Sequence, residues 1–177
     1  MSMFSSLSFA ESEQQVLHDY HLTTYKDMQG SVQELELFTK LEDRDAFFGV
    51  TCTGMSPFPL LQVVLFNDEV LSDVPRLIQV DYKIDGKTAT HPAAIQGILK
   101  AIDTVEERSN KIRIEVDAQK FRSMAEMKRA YQGLLDDLMS GERVSLQFTH
   151  RSIEGKTYRF SLKGLKPLLQ PYEAICY

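Results

Sequence analysis

The stretch Ile78–Gly86, with the sequence IQVDYKIDG, decides the fold class of this chain. Apolar and polar residues alternate along it, so its apolar side chains face one way and Gln79, Asp81 and Lys83 face the other. The Asp-Gly pair at its end is typical of a turn. The pattern therefore predicts a β-strand with one buried face, followed by a reversal of the chain.

Strand patterns also occur on both sides of this stretch. Upstream, a turn at Gly30 separates two β-rich segments and predicts a hairpin, with Leu35, Leu37 and Thr39 on one face. The residues predicted as strands are 21–26, 32–41, 46–53, 60–66, 111–117, 144–150 and 157–162. We expect the segment 60–66 to be buried on both faces, and the last two segments to form a hairpin that turns around 154–156.

Helical spacing of apolar residues appears twice. Pro92 suits a first helical turn, and isoleucines and leucines recur from there to Val105, which predicts a short helix beginning at His91. Between Met124 and Leu138 the spacing predicts an amphipathic helix that ends at the Ser-Gly pair 140–141. Its methionines and leucines are interpreted as core.

The order of these elements determines the fold class. Strands cluster without a regular alternation of strand and helix, which argues against a doubly wound parallel sheet. The 177 residues are 43% hydrophobic and 25% charged, as is typical of one globular domain. We predict an α+β, mainly β fold: an antiparallel sheet or β-sandwich decorated by one or two helices.

The N-terminal segment is set apart from this domain. We assign residues 1–15 to a flexible N-terminal arm or a signal-peptide remnant, and residues 16–177 to the single globular domain. Ser8-Phe9-Ala10 resembles a small-x-small cleavage site, although the positively charged region that precedes such a site is missing. Residues 11–20 are rich in charge and glutamine, which indicates a short helix or an ordered arm.

Charge and hydropathy limit the class of partner. The formal net charge of -5 gives no electrostatic footprint for nucleic acid. The longest apolar run, residues 59–66, is far shorter than the roughly 20 residues that a membrane-spanning helix needs. We therefore expect neither nucleic acid nor a membrane span, and favour another protein as the partner. The oligomeric state stays open.

The sequence has no motif typical of a catalytic or metal site. Its four histidines lack a two-ligand helical spacing, and His18 and His21, three apart, are interpreted as surface residues. The acidic clusters 42–45 and 136–137 are interpreted as solvated charge. Cys52 lies in an apolar strand-like run, where a cysteine is more often inert core or half of a bridge than a nucleophile. We predict no catalytic residue, no metal and no cofactor.

The two cysteines leave two possibilities open. In a reducing cytosol Cys52 and Cys176 would be buried thiols, whereas in a periplasm two cysteines of one domain often form a bridge. Their spacing excludes a compact metal motif.

Several short segments together resemble small envelope proteins of Gram-negative bacteria. The segments are 80–85, 121–139 and 160–165, followed by the near-terminal Cys176. They are similar to the invasion-associated locus B family and to an accessory protein associated with type VI secretion. The chain departs from that pattern because Lys83 stands where an arginine is usual and because it has no tryptophan. The resemblance implies a periplasmic β-sandwich, a disulfide between Cys52 and Cys176, and no catalytic site.

These observations lead to three functional hypotheses. The first is a non-enzymatic accessory or binding protein of the bacterial cell envelope, periplasmic or secreted, linked to secretion or host interaction. The second is a hydrolase whose site only the fold assembles. The third is a cytoplasmic adaptor or immunity-type inhibitor.

Overall fold

Eleven strands form one antiparallel sheet in the part of the chain that this computed structural model describes, residues 11–89 and 94–176. The strands are β1 Glu11–Leu17, β2 Tyr20–Lys26, β3 Val32–Lys40, β4 Ala46–Thr53, β5 Leu60–Phe66, β6 Arg76–Ile84, β7 Lys87–Thr88, β8 Ile95–Asp103, β9 Arg108–Val116, β10 Arg143–His150 and β11 Ile153–Ser161. The α-helices are α1 Met124–Ser140, α2 Leu165–Leu169 and α3 Glu173–Cys176, and short 3₁₀ turns occupy Asn67–Glu69, Ala118–Lys120 and Gln170–Tyr172.

The sheet curls until its two ends touch. Its strand order is β1-β2-β3-β4-β5-β9-β8-β6-β10-β11, with β7 paired to β6. Although β4 and β11 lie far apart in this order, the rings of Phe48 and Phe160 are 5.6 Å apart at their centroids. The Tyr20 hydroxyl donates a hydrogen bond of 2.7 Å to the carbonyl of Ser161. The predicted fold class, α+β and mainly β with an antiparallel sheet, is confirmed.

The core lies on the concave face of this sheet. Most strands alternate in burial, so one set of side chains points inward and packs against α1 and α2. Ser123 caps the N-terminus of α1, and its hydroxyl accepts a 3.2 Å hydrogen bond from the amide of Glu126. It is fixed to the sheet by Tyr131, whose hydroxyl accepts from the amide of Val116 at 3.2 Å. The predicted amphipathic helix is therefore confirmed, although Met124 at its start is exposed.

Most predicted strands are present. Leu35, Leu37 and Thr39 are all buried on one face of β3, as expected. The turn after β6 uses left-handed backbone at Asp85 and Gly86, with φ of 52° and 75°. In β5 one face is fully buried, while the other is half-buried instead of buried.

Three expectations about secondary structure were wrong. The segment predicted as a helix from His91 to Val105 forms β8 over Ile95–Asp103; His91 and Pro92 lie outside the described residues. In β8 the inward Leu99 and the outward Ile98 are both apolar, and this two-sided pattern imitates helical spacing.

The other two differences lie in hairpins. Glu11–Leu17, for which a short helix or an ordered arm was expected, forms an edge strand, so residues 11–15 belong to the sheet; residues 1–10 are not described. Nearly all of β1 is exposed, which accounts for its polar composition. The β10–β11 hairpin turns at residues 151–152, and residues 154–156 belong to β11.

Candidate functional site

A disulfide joins Cys52 of β4 to Cys176 of α3, with their α-carbons 5.0 Å apart. Both cysteines are 1% exposed, and 124 positions of sequence separate them. The pairing that the family resemblance implied is therefore present. The bond attaches the C-terminal helix to the middle of the sheet.

The other residues considered from sequence are scattered. His18 lies in the β1–β2 turn, His21 stacks on Phe38 at 5.0 Å between ring centroids, and His150 contacts the Ser152 hydroxyl at 2.7 Å. Within residues 11–89 and 94–176, no three side chains of histidine, cysteine, aspartate or glutamate are grouped as a metal site would require. None of the helices in those ranges has the length and hydropathy to cross a membrane.

The acidic clusters differ in their environment. Residues 42–45 are exposed between β3 and β4, and Asp136 is exposed on α1. Asp137 is only 2% exposed, so its interpretation as solvated charge was wrong. Its carboxylate accepts a 3.1 Å hydrogen bond from the Tyr82 hydroxyl, which ties α1 to β6.

Four polar side chains line up across four strands on the outer face of the sheet, the face turned away from the core. Thr88 of β7 lies opposite Lys83 of β6, and Lys83 lies opposite Ser145 of β10. Ser145 in turn lies opposite Arg159 of β11. Side chains of directly opposed residues are neighbours, with β-carbons roughly 5 Å apart. Two hydroxyl groups and two cations thus alternate along one line, which we call the polar row.

The polar row lies in a cavity of about 690 Å³. A parallel line of Asp81, Gln147 and Thr157 also lines this cavity. An adjoining cavity of about 460 Å³ shares Ser145 and Arg159 with it and adds further charged residues, Asp19, Asp85, Glu142, Arg143 and Lys163. We call the two cavities together the outer groove.

Three of the four carboxylates in the outer groove accept hydrogen bonds within the fold, those of Asp19, Asp81 and Asp85. Asp85 accepts from the amides of Glu142 at 3.1 Å and Arg143 at 3.0 Å. Asp19 accepts from the Ser161 hydroxyl at 2.5 Å. No described residue forms an ion pair with any of the groove's four cations, which are Lys83, Arg143, Arg159 and Lys163. The four cations and four carboxylates of the outer groove balance in formal charge, so the excess of positive charge is confined to the polar row itself, with Lys83 and Arg159.

A line of aromatic rings crosses the outer face at the other end of the sheet. His21 stacks on Phe38, Phe38 lies 6.4 Å from Phe47 between ring centroids, and Phe47 meets the ring of Phe66 edge-on at 5.9 Å. Phe38 is 38% exposed although it is a large apolar side chain. We call these four residues of β2 to β5 the aromatic stripe.

Lysines accompany the aromatic stripe. The Lys40 ammonium lies 5.4 Å from the centroid of the Phe47 ring, and Lys40 also forms a 3.8 Å ion pair with Asp45. Two other lysines, Lys100 of β8 and Lys111 of β9, are exposed and directly opposite each other. Like charges directly opposite one another destabilise a strand pair, so these ammonium groups favour a bound anion.

Sequence reasoning missed both surfaces. The alternation in β6 placed Lys83 on the polar side of a strand, but its neighbours Ser145 and Arg159 come from strands more than sixty positions away. Only the pairing of β6, β10 and β11 brings them together. The aromatic stripe had one available signal, because Phe38 and Phe47 each occupy the polar phase of an alternating strand.

Comparison with known proteins adds no identity: no family model, no curated protein and no solved structure matches the chain.

Proposed function

We propose that this chain is a non-enzymatic accessory protein of the bacterial cell envelope, exported to a periplasmic or extracellular location, where it binds another protein. The observation that carries the proposal is the buried disulfide between Cys52 and Cys176. The resemblance to envelope proteins adds a role in secretion or host interaction. The aromatic stripe is the surface that we assign to the partner.

The disulfide supports export because of the redox chemistry of compartments. Disulfides form and persist in the periplasm and outside the cell, whereas the cytosol keeps thiols reduced. Cys52 and Cys176 are both in the core and are the chain's only cysteines. A structural role in an oxidising compartment accounts for this pair directly.

The composition of the aromatic stripe supports a protein partner. Aromatic side chains are enriched at the centres of protein interfaces, where they supply most of the binding free energy. Phe38 and Phe47 are the central rings of the stripe, and Lys40, Lys100 and Lys111 lie beside it. Charge complementarity therefore selects a partner with an apolar pocket or side chain surrounded by carboxylates.

The compartment is tested by thiol trapping. Bacteria that produce the chain are quenched in acid and separated into periplasmic and cytosolic fractions, and free thiols are alkylated without reductant before mass spectrometry. We expect periplasmic protein in which neither Cys52 nor Cys176 is alkylated. Cytosolic protein alkylated at both positions would refute export.

The binding surface is tested by photocrosslinking in the same cells. A photoreactive amino acid at Phe47 should give a discrete crosslinked product with an envelope protein, and a second probe at Phe38 should give the same product. The matched control is Met28, an 80% exposed residue in the β2–β3 turn. Lys100→Glu combined with Lys111→Glu should abolish the product, because these changes repel an acidic partner. Equal products from all three probes would refute the assignment of the stripe.

A further inference from the structure

We propose that the outer groove binds a small phosphorylated molecule, with the phosphate held on the polar row and the organic part along Asp81, Gln147 and Thr157. The groove lies on β6, β10 and β11, whereas the aromatic stripe lies on β2 to β5. The inference is therefore independent of the proposed function, and either can fail without the other.

The register of the polar row favours a phosphate ligand. Lys83 and Arg159 flank Ser145 on the two neighbouring strands, and Thr88 extends the line beyond Lys83. An ammonium, a guanidinium and two hydroxyls are all hydrogen-bond donors, and all four side chains line the same cavity. Phosphate oxygens accept several such bonds at once, and arginine binds them with two parallel donors.

The charge of the polar row also favours a phosphate. Two cations in one row match a phosphate monoester dianion better than they match a single carboxylate. Asp85 and Asp19, which border the groove, are engaged by the amides of residues 142 and 143 and by the Ser161 hydroxyl. The Asp81 carboxylate accepts a 3.1 Å hydrogen bond from the side-chain amide of Gln79. The cations of the polar row have no such partner among the residues described.

The cavity beside the polar row is large enough for an organic group. A cavity of about 690 Å³ is within the range of small-molecule sites and far exceeds the size of one phosphate group. Asp81, Gln147 and Thr157 run parallel to the row and offer a carboxylate, an amide and a hydroxyl. These groups suit a ligand whose organic part carries hydroxyl groups, such as a phosphorylated polyol.

The ligand class is tested by nuclear magnetic resonance on the unsubstituted protein. Inorganic phosphate, glycerol 3-phosphate and glycerol are titrated separately at constant ionic strength. We expect saturable shifts of the Lys83, Ser145 and Arg159 amide signals with both phosphates, and binding of glycerol 3-phosphate at least threefold tighter. Glycerol 3-phosphate should also shift the signals of residues 81, 147 and 157.

The outcomes that would overturn the proposal are distinct. Unsaturable shifts, or shifts centred on Lys100 and Lys111, would show attraction of anions to exposed lysines. Equal affinity for inorganic phosphate and glycerol 3-phosphate would refute the organic part of the ligand. Neither result bears on the compartment or on the aromatic stripe.

Paired substitutions test the cations. Lys83→Ala with Arg159→Ala should weaken glycerol 3-phosphate binding at least tenfold, measured by calorimetry. The matched control, Lys128→Ala with Arg151→Ala, removes the same net charge from α1 and the β10–β11 turn and should leave the affinity within twofold. Circular dichroism verifies that both variants fold. Equal weakening in the two variants would refute the site.

Discussion

The hydroxyl of Tyr158 donates a 2.8 Å hydrogen bond to the carboxylate of Glu69, 89 positions earlier in the chain. Tyr158 is on the inner face of β11, and Glu69 belongs to the 3₁₀ turn after β5. The Tyr158 ring is fully buried between Phe148 and Phe160, with centroids 6.1 Å and 6.3 Å away. The bond thus joins the last strand of the sheet to a turn near its centre.

This environment predicts alkaline unfolding. Burial raises the pKa of Tyr158 above the ordinary 10.0, and the bond to Glu69 raises it further. Burial likewise raises the pKa of Tyr20 and of Tyr131. A phenol whose pKa is raised by folding contributes stability below the unfolded pKa, and this stability is lost as the pH rises towards the folded pKa. We expect stability to fall from about pH 10 upward, with phenolate absorbance at 295 nm rising together with loss of the circular dichroism signal.

Tyr158→Phe is the control for the alkaline prediction. It removes one titrating phenol, so the loss of stability per pH unit above the unfolded pKa should become smaller by about 1.4 kcal/mol. At neutral pH the variant should be less stable, because the Glu69 carboxylate loses its donor. An unchanged alkaline slope would contradict the assignment to Tyr158.

Removal of the disulfide should lower stability substantially. Cys52→Ala, Cys176→Ala and the double variant each open a loop of 124 positions, and the chain-entropy model gives a cost of about 4 to 5 kcal/mol. The three variants should lose nearly the same free energy of unfolding, because losing either sulfur breaks the same bond. Urea denaturation with and without reductant measures the free energy of unfolding. A reductant effect on the unsubstituted protein below about 1 kcal/mol would contradict the prediction.

Gly164→Ala should be strongly destabilising. Gly164 precedes α2 with φ of 97°, and a β-carbon there would overlap the carbonyl oxygen of Leu17. We expect a loss above about 2 kcal/mol, since both backbone strain and a steric clash contribute. Gly30→Ala is the control: its φ is 82°, but no atom lies within 4 Å of the added carbon. Strain alone should cost about 1 to 2 kcal/mol there, and equal thermal shifts for the two variants would contradict the role of Leu17.

Asn110→Ala should loosen the segment that leads into β6. The buried Asn110 side chain accepts from the amides of Leu71 at 2.7 Å and Ser72 at 3.2 Å, and donates to the Ser72 carbonyl at 2.8 Å. Removing it leaves these groups without their partner, at a cost of about 3 kcal/mol. Hydrogen exchange at residues 71 and 72 should accelerate. Gln14→Ala, on the exposed face of β1, should change stability by less than about 0.5 kcal/mol.

Local patterns predicted the strands that have one buried face. Ile78 and Val80 are buried on the inner face of β6, as the alternation of IQVDYKI requires. The same approach failed at β8, where Ile98 is half-buried on the outer face opposite Leu77. An apolar residue on each face of a strand cannot be distinguished from helical spacing by periodicity.

The candidate sites depend on information that one segment does not contain. Lys83, Ser145 and Arg159 are unremarkable polar residues until strand pairing brings them into register. Asp137 has the sequence context of a solvated carboxylate, yet it is buried and accepts a hydrogen bond from the Tyr82 hydroxyl of β6. The cysteine pair illustrates the same limit, since spacing alone left the bridge and the free thiols as alternatives.

The disulfide also divides the chain under mechanical load. Strands β1, β2 and β3 precede Cys52, so they lie outside the covalent ring that the bond closes with Cys176. A force pulling residue 11 away from residue 176 can extend only residues 11–52, a contour of about 140 Å at roughly 3.4 Å per residue. Residues between Cys52 and Cys176 carry no load while the disulfide is intact, because the bond transmits the force directly. Under force, the oxidised protein should therefore lengthen only by unfolding residues 11–52, and reduction should remove that limit.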